Sequence, residues 1–226
     1  MSKQAHSIAI FIGLTIILTS FPWESARATS VFFNEIHYDN AGRDTGEAIE
    51  IAGQAGTDLT GWSVLLYNGN NGEVYNTINL SSGFANQQNG FGTLSFLQAG
   101  IQNGAPDGLA LVDASNNVIQ FLSYEGSFTA VEGVANGMMS TDIGVAETSS
   151  TSIGHSLQLT GTGTDSNDFT WAAAKPNTFG AVNTGQTFTG GGQQPVPEPS
   201  TLLLLGSGLT GLSFWRWKQR RQNPQA

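Results

Sequence analysis

Six side chains able to do chemistry crowd one short stretch of this chain: Glu35, His37, Asp39, Asp44, Glu47 and Glu50. Carboxylate oxygens gathered this closely are the hard ligands that Ca²⁺ takes. On an extended strand, a period of two puts Glu35, His37 and Asp39 on one face. Two chemistries follow. The carboxylates of Glu35, Asp39, Glu47 and Glu50 would serve a metal-dependent extracellular hydrolase. The same set with Asp44 would hold Ca²⁺ in a calcium-dependent glycan-binding protein. The spacing is not that of an EF-hand loop, and Asp165-Ser166-Asn167-Asp168 matches only the first steps of one.

Other catalytic sets are missing from the sequence. The chain has no cysteine, so a thiol nucleophile is excluded. It contains no G-x-S-x-G, P-loop or H-E-x-x-H pattern. Ser156 follows His155 directly, and neighbours on a strand point to opposite faces, which is poor placement for a catalytic pair. Tyr38, Tyr67 and Tyr75 would suit either a sugar-stacking face or a core. No catalytic residue and no resident cofactor are expected, beyond the Ca²⁺ alternative.

These residues must be positioned by strands. Short clusters of β-branched and aromatic residues lie at 30–38, 47–51, 61–67, 73–80, 92–96, 108–113, 118–124, 156–159 and 170–173, with no sustained helical period between them. Asn68-Gly69 and Asn71-Gly72 mark one hairpin turn, and Ala114-Ser115-Asn116-Asn117 marks another. In Trp62-Ser63-Val64-Leu65-Leu66, alternation puts Trp62, Val64 and Leu66 on one face. Many short strands with frequent turns predict an all-β, antiparallel β-sandwich over residues 29–189. A flexible glycine- and glutamine-rich linker at 190–195 follows it. Residues 126–151 carry no clear pattern and read as an insertion. Between Thr29 and Pro195 stand fifteen of the 17 acidic residues and only two of the eight basic ones, Arg43 and Lys175. Nucleic acid is excluded as a partner, because binding it needs basic side chains to replace phosphate counterions.

Three strings carry a resemblance. Phe33-Asn34-Glu35-Ile36, Gly46-Glu47-Ala48-Ile49-Glu50-Ile51 and Asp58-Leu59-Thr60-Gly61-Trp62 occur in that order, followed by Ser156-Leu157, Trp171 and Gly180-Ala181-Val182-Asn183. The set resembles the lamin-tail domain. Ala48 departs from it, since the family usually has a larger apolar residue there. The resemblance implies an immunoglobulin-like sandwich in which Glu35 and Glu50 orient backbone turns by hydrogen bonds. That competes with the metal reading of the same carboxylates.

The two ends read as addresses. Lys3, the apolar stretch 8–21 and Ala26-Arg27-Ala28 make a secretory signal peptide over residues 1–28, cut after Ala28 by signal peptidase. At the other end, Val196-Pro197-Glu198-Pro199-Ser200 precedes an apolar run over 201–217 and a basic tail with Lys218, Arg220 and Arg221. Seventeen residues of helix span about 25 Å, short of the roughly 30 Å of hydrocarbon. This ending resembles the PEP-CTERM sorting signal of Gram-negative bacteria over residues 196–226. The resemblance implies recognition of the Pro-Glu-Pro box by an exosortase, a membrane protease, and an inner-membrane intermediate held by one transmembrane helix. It also implies a destination in the envelope, at the cell surface or outside, in bacteria that make exopolysaccharide or biofilm. The expectation is therefore an exported, non-enzymatic binding or structural module, with exopolysaccharide or surface components as partners.

Overall fold

The computed structural model describes residues 30–190. The signal peptide with its Ala26 and Ala28 cleavage site, most of the linker, the Pro-Glu-Pro box and the transmembrane helix lie outside the described residues. Among the described residues no helix is long and apolar enough to cross a membrane.

Eleven strands form two sheets. In chain order they are β1 (Val31–His37), β2 (Ala48–Gln54), β3 (Ser63–Asn68), β4 (Glu73–Asn79), β5 (Phe91–Leu97), β6 (Asp107–Val112), β7 (Val118–Tyr124), β8 (Thr141–Asp142), β9 (His155–Gly163), β10 (Phe169–Pro176) and β11 (Gln186–Phe188). The first sheet runs β10-β9-β1-β2-β5, with β11 pairing β9; the second runs β4-β3-β6-β7-β8. The sheets face one another across a shared core, with Phe33, Ile49 and Ile51 from the first meeting Val64, Leu66, Leu109 and Leu111 from the second. Burying each such side chain stabilises the fold by roughly 1.5–3 kcal/mol.

Both predicted hairpins are present, β3–β4 and β6–β7. Trp62, Val64 and Leu66 do share the core side. The antiparallel expectation needs correction at two places, where β11 runs parallel to β9 and β8 parallel to β7. Those strands have three and two residues, too few to show a period. β9 and β10 also outrun their predicted spans, because Thr160-Gly161-Thr162-Gly163 and Lys175-Pro176 lack apolar alternation. Pro176 is tolerated at the end of an edge strand, where its missing N–H leaves no ladder bond unmade.

A bulge in β1 sets the site. The register with β2 shifts between Phe33 and Glu35, leaving Asn34 as the extra residue. The parity of the strand therefore changes. Val31 and Phe33 enter the core before the bulge, Ile36 and Tyr38 after it. Glu35 and His37 then lie on the outer side of the sheet. That side is also covered, since Phe188 and Val182 from the C-terminal return pack with Phe32, Ala52, Phe91, Leu159 and Phe169. The outer side of the second sheet is covered in turn by the long segment after β7, through Phe128, Ala130 and Ala135. Strands covered on both faces are buried throughout, as β1 and β6 are.

Candidate functional site

Glu35 and Glu50 are register partners on β1 and β2, and both are fully buried. Glu35 accepts hydrogen bonds from Ser156 Oγ (2.5 Å) and from the Thr178 N–H (2.8 Å), and its Oε2 lies 2.8 Å from Thr178 Oγ1. Glu50 accepts from Asn34 Nδ2 (2.9 Å) and from the Gly180 N–H (2.5 Å). The bulge residue completes the set, since Asn34 Oδ1 accepts from Gln186 Nε2 (2.7 Å) and its carbonyl from Asn183 Nδ2 (2.9 Å). The two carboxyls thus hold the turn at 178–180 and bind the start of the domain to its end. Burial raises Glu35 above the ordinary carboxyl value, against the hydrogen bonds from Ser156 and Thr178 that lower it. Burial pushes Glu50 up to about 8, against the hydrogen bonds from Asn34 and Gly180 that lower it.

Proton positions in this network follow from its acceptors. Asn183 Nδ2 donates to the carbonyls of Asn34 and Leu159, so Asn183 Oδ1 is an acceptor. The single Thr178 hydroxyl proton faces both that oxygen (2.9 Å) and Glu35 Oε2. A protonated Glu35 satisfies all three groups, because its own O–H then serves Thr178 Oγ1.

His37 lies on the same side of β1, 1% exposed. Its Nδ1 faces both oxygens of Glu147 at 2.9 and 3.0 Å. Its Nε2 faces the Thr45 carbonyl at 3.1 Å and Asn40 Oδ1 at 3.3 Å. Asn40 is fixed in that orientation, since its Nδ2 donates to the carbonyls of Ala41 and Arg43. Each ring nitrogen therefore faces oxygen acceptors, an arrangement that favours the imidazolium form of His37 beside a Glu147 carboxylate. Burial opposes that charge, but Glu147 together with the Thr45 carbonyl and Asn40 Oδ1 more than offsets it, so the pKa rises from 6.5. Glu147 also accepts the N–H groups of Tyr38 (2.6 Å) and Asp39 (3.0 Å). This pair pins the long segment after β7 to the end of β1. Sequence reading missed Glu147, which sits in the patternless stretch 126–151.

The remaining expected ligands are not gathered with these. Asp39 is raised by its partial burial and by the neighbouring Asp44. Asp44 accepts the Asn40 N–H, and Glu47 accepts the Gly100 N–H at 2.8 Å. Asp165 and Asp168 bracket a single 3-10 turn, where Asp168 accepts the N–H groups of Thr164 and Asp165. Among the described residues no three His, Asp or Glu side chains form a metal ligand set. The sugar-stacking reading of the tyrosines is overturned. Tyr38 and Tyr67 are fully buried, Tyr38 stacks on Tyr124 at 3.9 Å, and Tyr75 packs against the core.

One feature open to solvent was not legible beforehand. A cleft of about 240 Å³ lies between the β3–β4 turn and the loop preceding β6, lined by Asn68, Asn70, Gln102, Asn103, Pro106 and Asp107 among others. The Asp107 carboxylate ties its two walls together, accepting the Gly69 N–H (2.9 Å) from one and the Gly104 N–H (2.7 Å) from the other. A Cβ on Gly69 would collide with the Pro106 carbonyl oxygen, so the two walls meet backbone to backbone.

Residues 195–221 match the family model of the PEP-CTERM protein-sorting motif, and the chain carries that motif. No curated protein and no solved structure matches the chain.

Proposed function

We propose that this PEP-CTERM protein is an exported, exosortase-sorted module that acts at the cell surface or outside by binding or scaffolding rather than by catalysis. The observation that carries the reading is the order of its parts. A two-sheet domain ends with β11 at Phe188, and the sorting motif begins at residue 195, a few linker residues later. The signal peptide before Thr29 and the transmembrane helix over 201–217 complete the export route in this reading, with the helix holding an inner-membrane intermediate. The non-catalytic role is supported by the carboxylates themselves, because Glu35, Glu47, Glu50, Asp107 and Glu147 all accept backbone N–H groups. An immunoglobulin-like, lamin-tail-like architecture is supported by the residues of that resemblance. Asn34, Glu35, Glu50, Ser156, Gly180 and Asn183 join through Thr178 in one hydrogen-bonded network.

Intact mass spectrometry of the protein recovered from cell fractions tests the sorting. The expected mature chain starts at Thr29 and ends near Pro197-Glu198-Pro199. A chain still carrying Arg221 in the membrane fraction would make the tail a plain anchor. Thermal melting with added calcium tests the module. A ligand that binds the native state must raise the melting temperature, and no rise is expected. A rise with calcium would restore the metal-dependent alternatives.

A further inference from the structure

We propose that the cleft between the β3–β4 turn and the loop before β6 binds one unit of an uncharged, hydroxyl-rich chain, a neutral glycan. The inference rests on the binding-module reading and names its site and ligand class.

Four carboxamides line this cleft, those of Asn68, Asn70, Gln102 and Asn103. Their backbones are fixed while most of their side-chain capacity is unspent. The Gln102 N–H donates to Tyr75 Oη (2.9 Å), and its carbonyl accepts from Tyr124 Oη, which fixes its backbone at the cleft wall. Asn68 Oδ1 accepts the Asn70 N–H (2.9 Å), leaving Asn68 Nδ2 available. Among the hydrogen bonds of the described residues, the side chains of Asn70 and Gln102 take part in none. The Asn103 carboxamide is the most engaged of the four, lying 3.4 Å from Asp44 and facing the Asp39 carboxylate.

A carboxamide presents a donor and an acceptor side by side, which matches a sugar hydroxyl, itself donor and acceptor. Ala105 and Pro106 add a small apolar edge on which the C–H face of a ring can lie. Charge selects among hydroxyl-rich ligands. The one charged lining residue is Asp107, whose two oxygens are already taken by Gly69 and Gly104. Arg43 and Lys175 are the only arginine and lysine of the domain and neither lines the cleft, nor do His37 and His155. Anionic chains therefore find no countercharge and a repelling surface. The volume is below the roughly 300–1,000 Å³ of drug-sized sites, and the cleft is open, so it suits one sugar ring of a longer chain. The walls are tied in advance by Asp107, so binding orders little besides the four side chains.

The test is titration of the isotope-labelled full domain, followed by NMR shifts of backbone and carboxamide N–H groups. The probes are a neutral glucan hexamer, a neutral mannan hexamer, free glucose and an oligo-uronate. At least one neutral hexamer is expected to shift the signals of Asn68, Asn70, Gln102 and Asn103, with Kd on the order of 1 mM. Free glucose should bind more weakly at the same signals, and the oligo-uronate should leave them unmoved. The variant N70A/Q102A changes only side chains outside the core. It should keep the wild-type melting temperature and weaken binding about tenfold, for two lost hydrogen bonds. Shifts elsewhere that survive in the variant would overturn this site and leave the binding-module reading standing. A stronger response to the oligo-uronate would overturn the ligand class. No shift with any neutral probe would overturn the glycan proposal, without touching the sorting measured by mass.

Discussion

Replacing His37 with leucine should destabilise the domain by about 3–5 kcal/mol, the cost of removing one partner from a buried ion pair. The Glu147 carboxylate would stay at the end of β1, 0% exposed, with its countercharge gone. The Thr45 carbonyl and Asn40 Oδ1 would lose the donor that faces them. For a domain of this size each kcal/mol moves the melting temperature by about 2–4 °C, so a fall on the order of 10 °C is expected. The loss should concentrate where the segment after β7 docks, measurable as faster amide exchange at Glu147, whose N–H donates to Tyr38 Oη, and at Ala41, whose N–H donates to the Thr151 carbonyl. An H37L melting curve within a degree or two of wild type would sink the imidazolium assignment.

Glu147→Gln separates charge from shape. The amide oxygen of the substituted side chain can still accept the N–H groups of Tyr38 and Asp39, because both bond the same carboxylate oxygen of Glu147. The new amide N–H then faces Nδ1 of a neutral His37, whose Nε2–H still reaches Thr45. E147Q should therefore melt close to wild type while losing the pair's dependence on pH. The sign follows from the raised pKa. The contribution of His37 is fully present below 6.5, its unfolded value, and is lost as pH rises through the higher folded value. Wild type should lose more stability over that window than E147Q, which keeps only the fall due to the raised Glu35 and Glu50.

What could be read from the sequence was whatever repeats at a fixed period. Nine strands and both hairpin turns announce themselves through β-branched runs and Asn-Gly pairs. Local patterns cannot announce a partner fixed by tertiary packing. Glu147 lies 110 residues from His37 in a stretch without periodicity. β11 is short and finds its place only by lying along β9. The bulge at Asn34 was invisible for a related reason. A strict period of two carries Glu35, His37 and Asp39 along one face, and so it does for the first two. Asp39, however, falls beyond the strand beside Asp44, while Glu35, Glu50 and Glu47 are drawn to the backbone N–H groups of Thr178, Gly180 and Gly100. The cleft escaped notice because carboxamides on loops look the same whether solvated or aimed at a ligand.

The buried carboxyls should make this domain more stable in mild acid than in mild alkali, with Glu50 as the main cause. Its folded pKa of about 8 stands above the 4.5 of the unfolded chain. Below 4.5 both states hold the proton and nothing is lost. Between 4.5 and 8 the unfolded chain releases a proton that the folded one keeps, so stability falls steadily as pH rises. The fall amounts to roughly 5 kcal/mol across the window. Glu35 and His37, both raised, act in the same direction. The acid side has its own limit. Asp58, Asp113 and Asp168 are lowered by hydrogen bonds in their turns, so their contributions are lost as pH falls below the ordinary aspartate value. Glu50→Gln turns this into a crossing. A carboxyl, even protonated, can accept at both oxygens, as Asn34 Nδ2 and the Gly180 N–H require. A glutamine can accept at only one, and its NH₂ would face a donor at a cost of about 1–3 kcal/mol. At pH 5, E50Q should therefore be the less stable protein. At pH 9 wild type carries an ionised carboxylate in the core and the variant does not, so the order should reverse. Denaturant melts at the two pH values measure both points. Parallel curves for E50Q and wild type would mean that Glu50 is ionised throughout, and the protonated network would have to be abandoned.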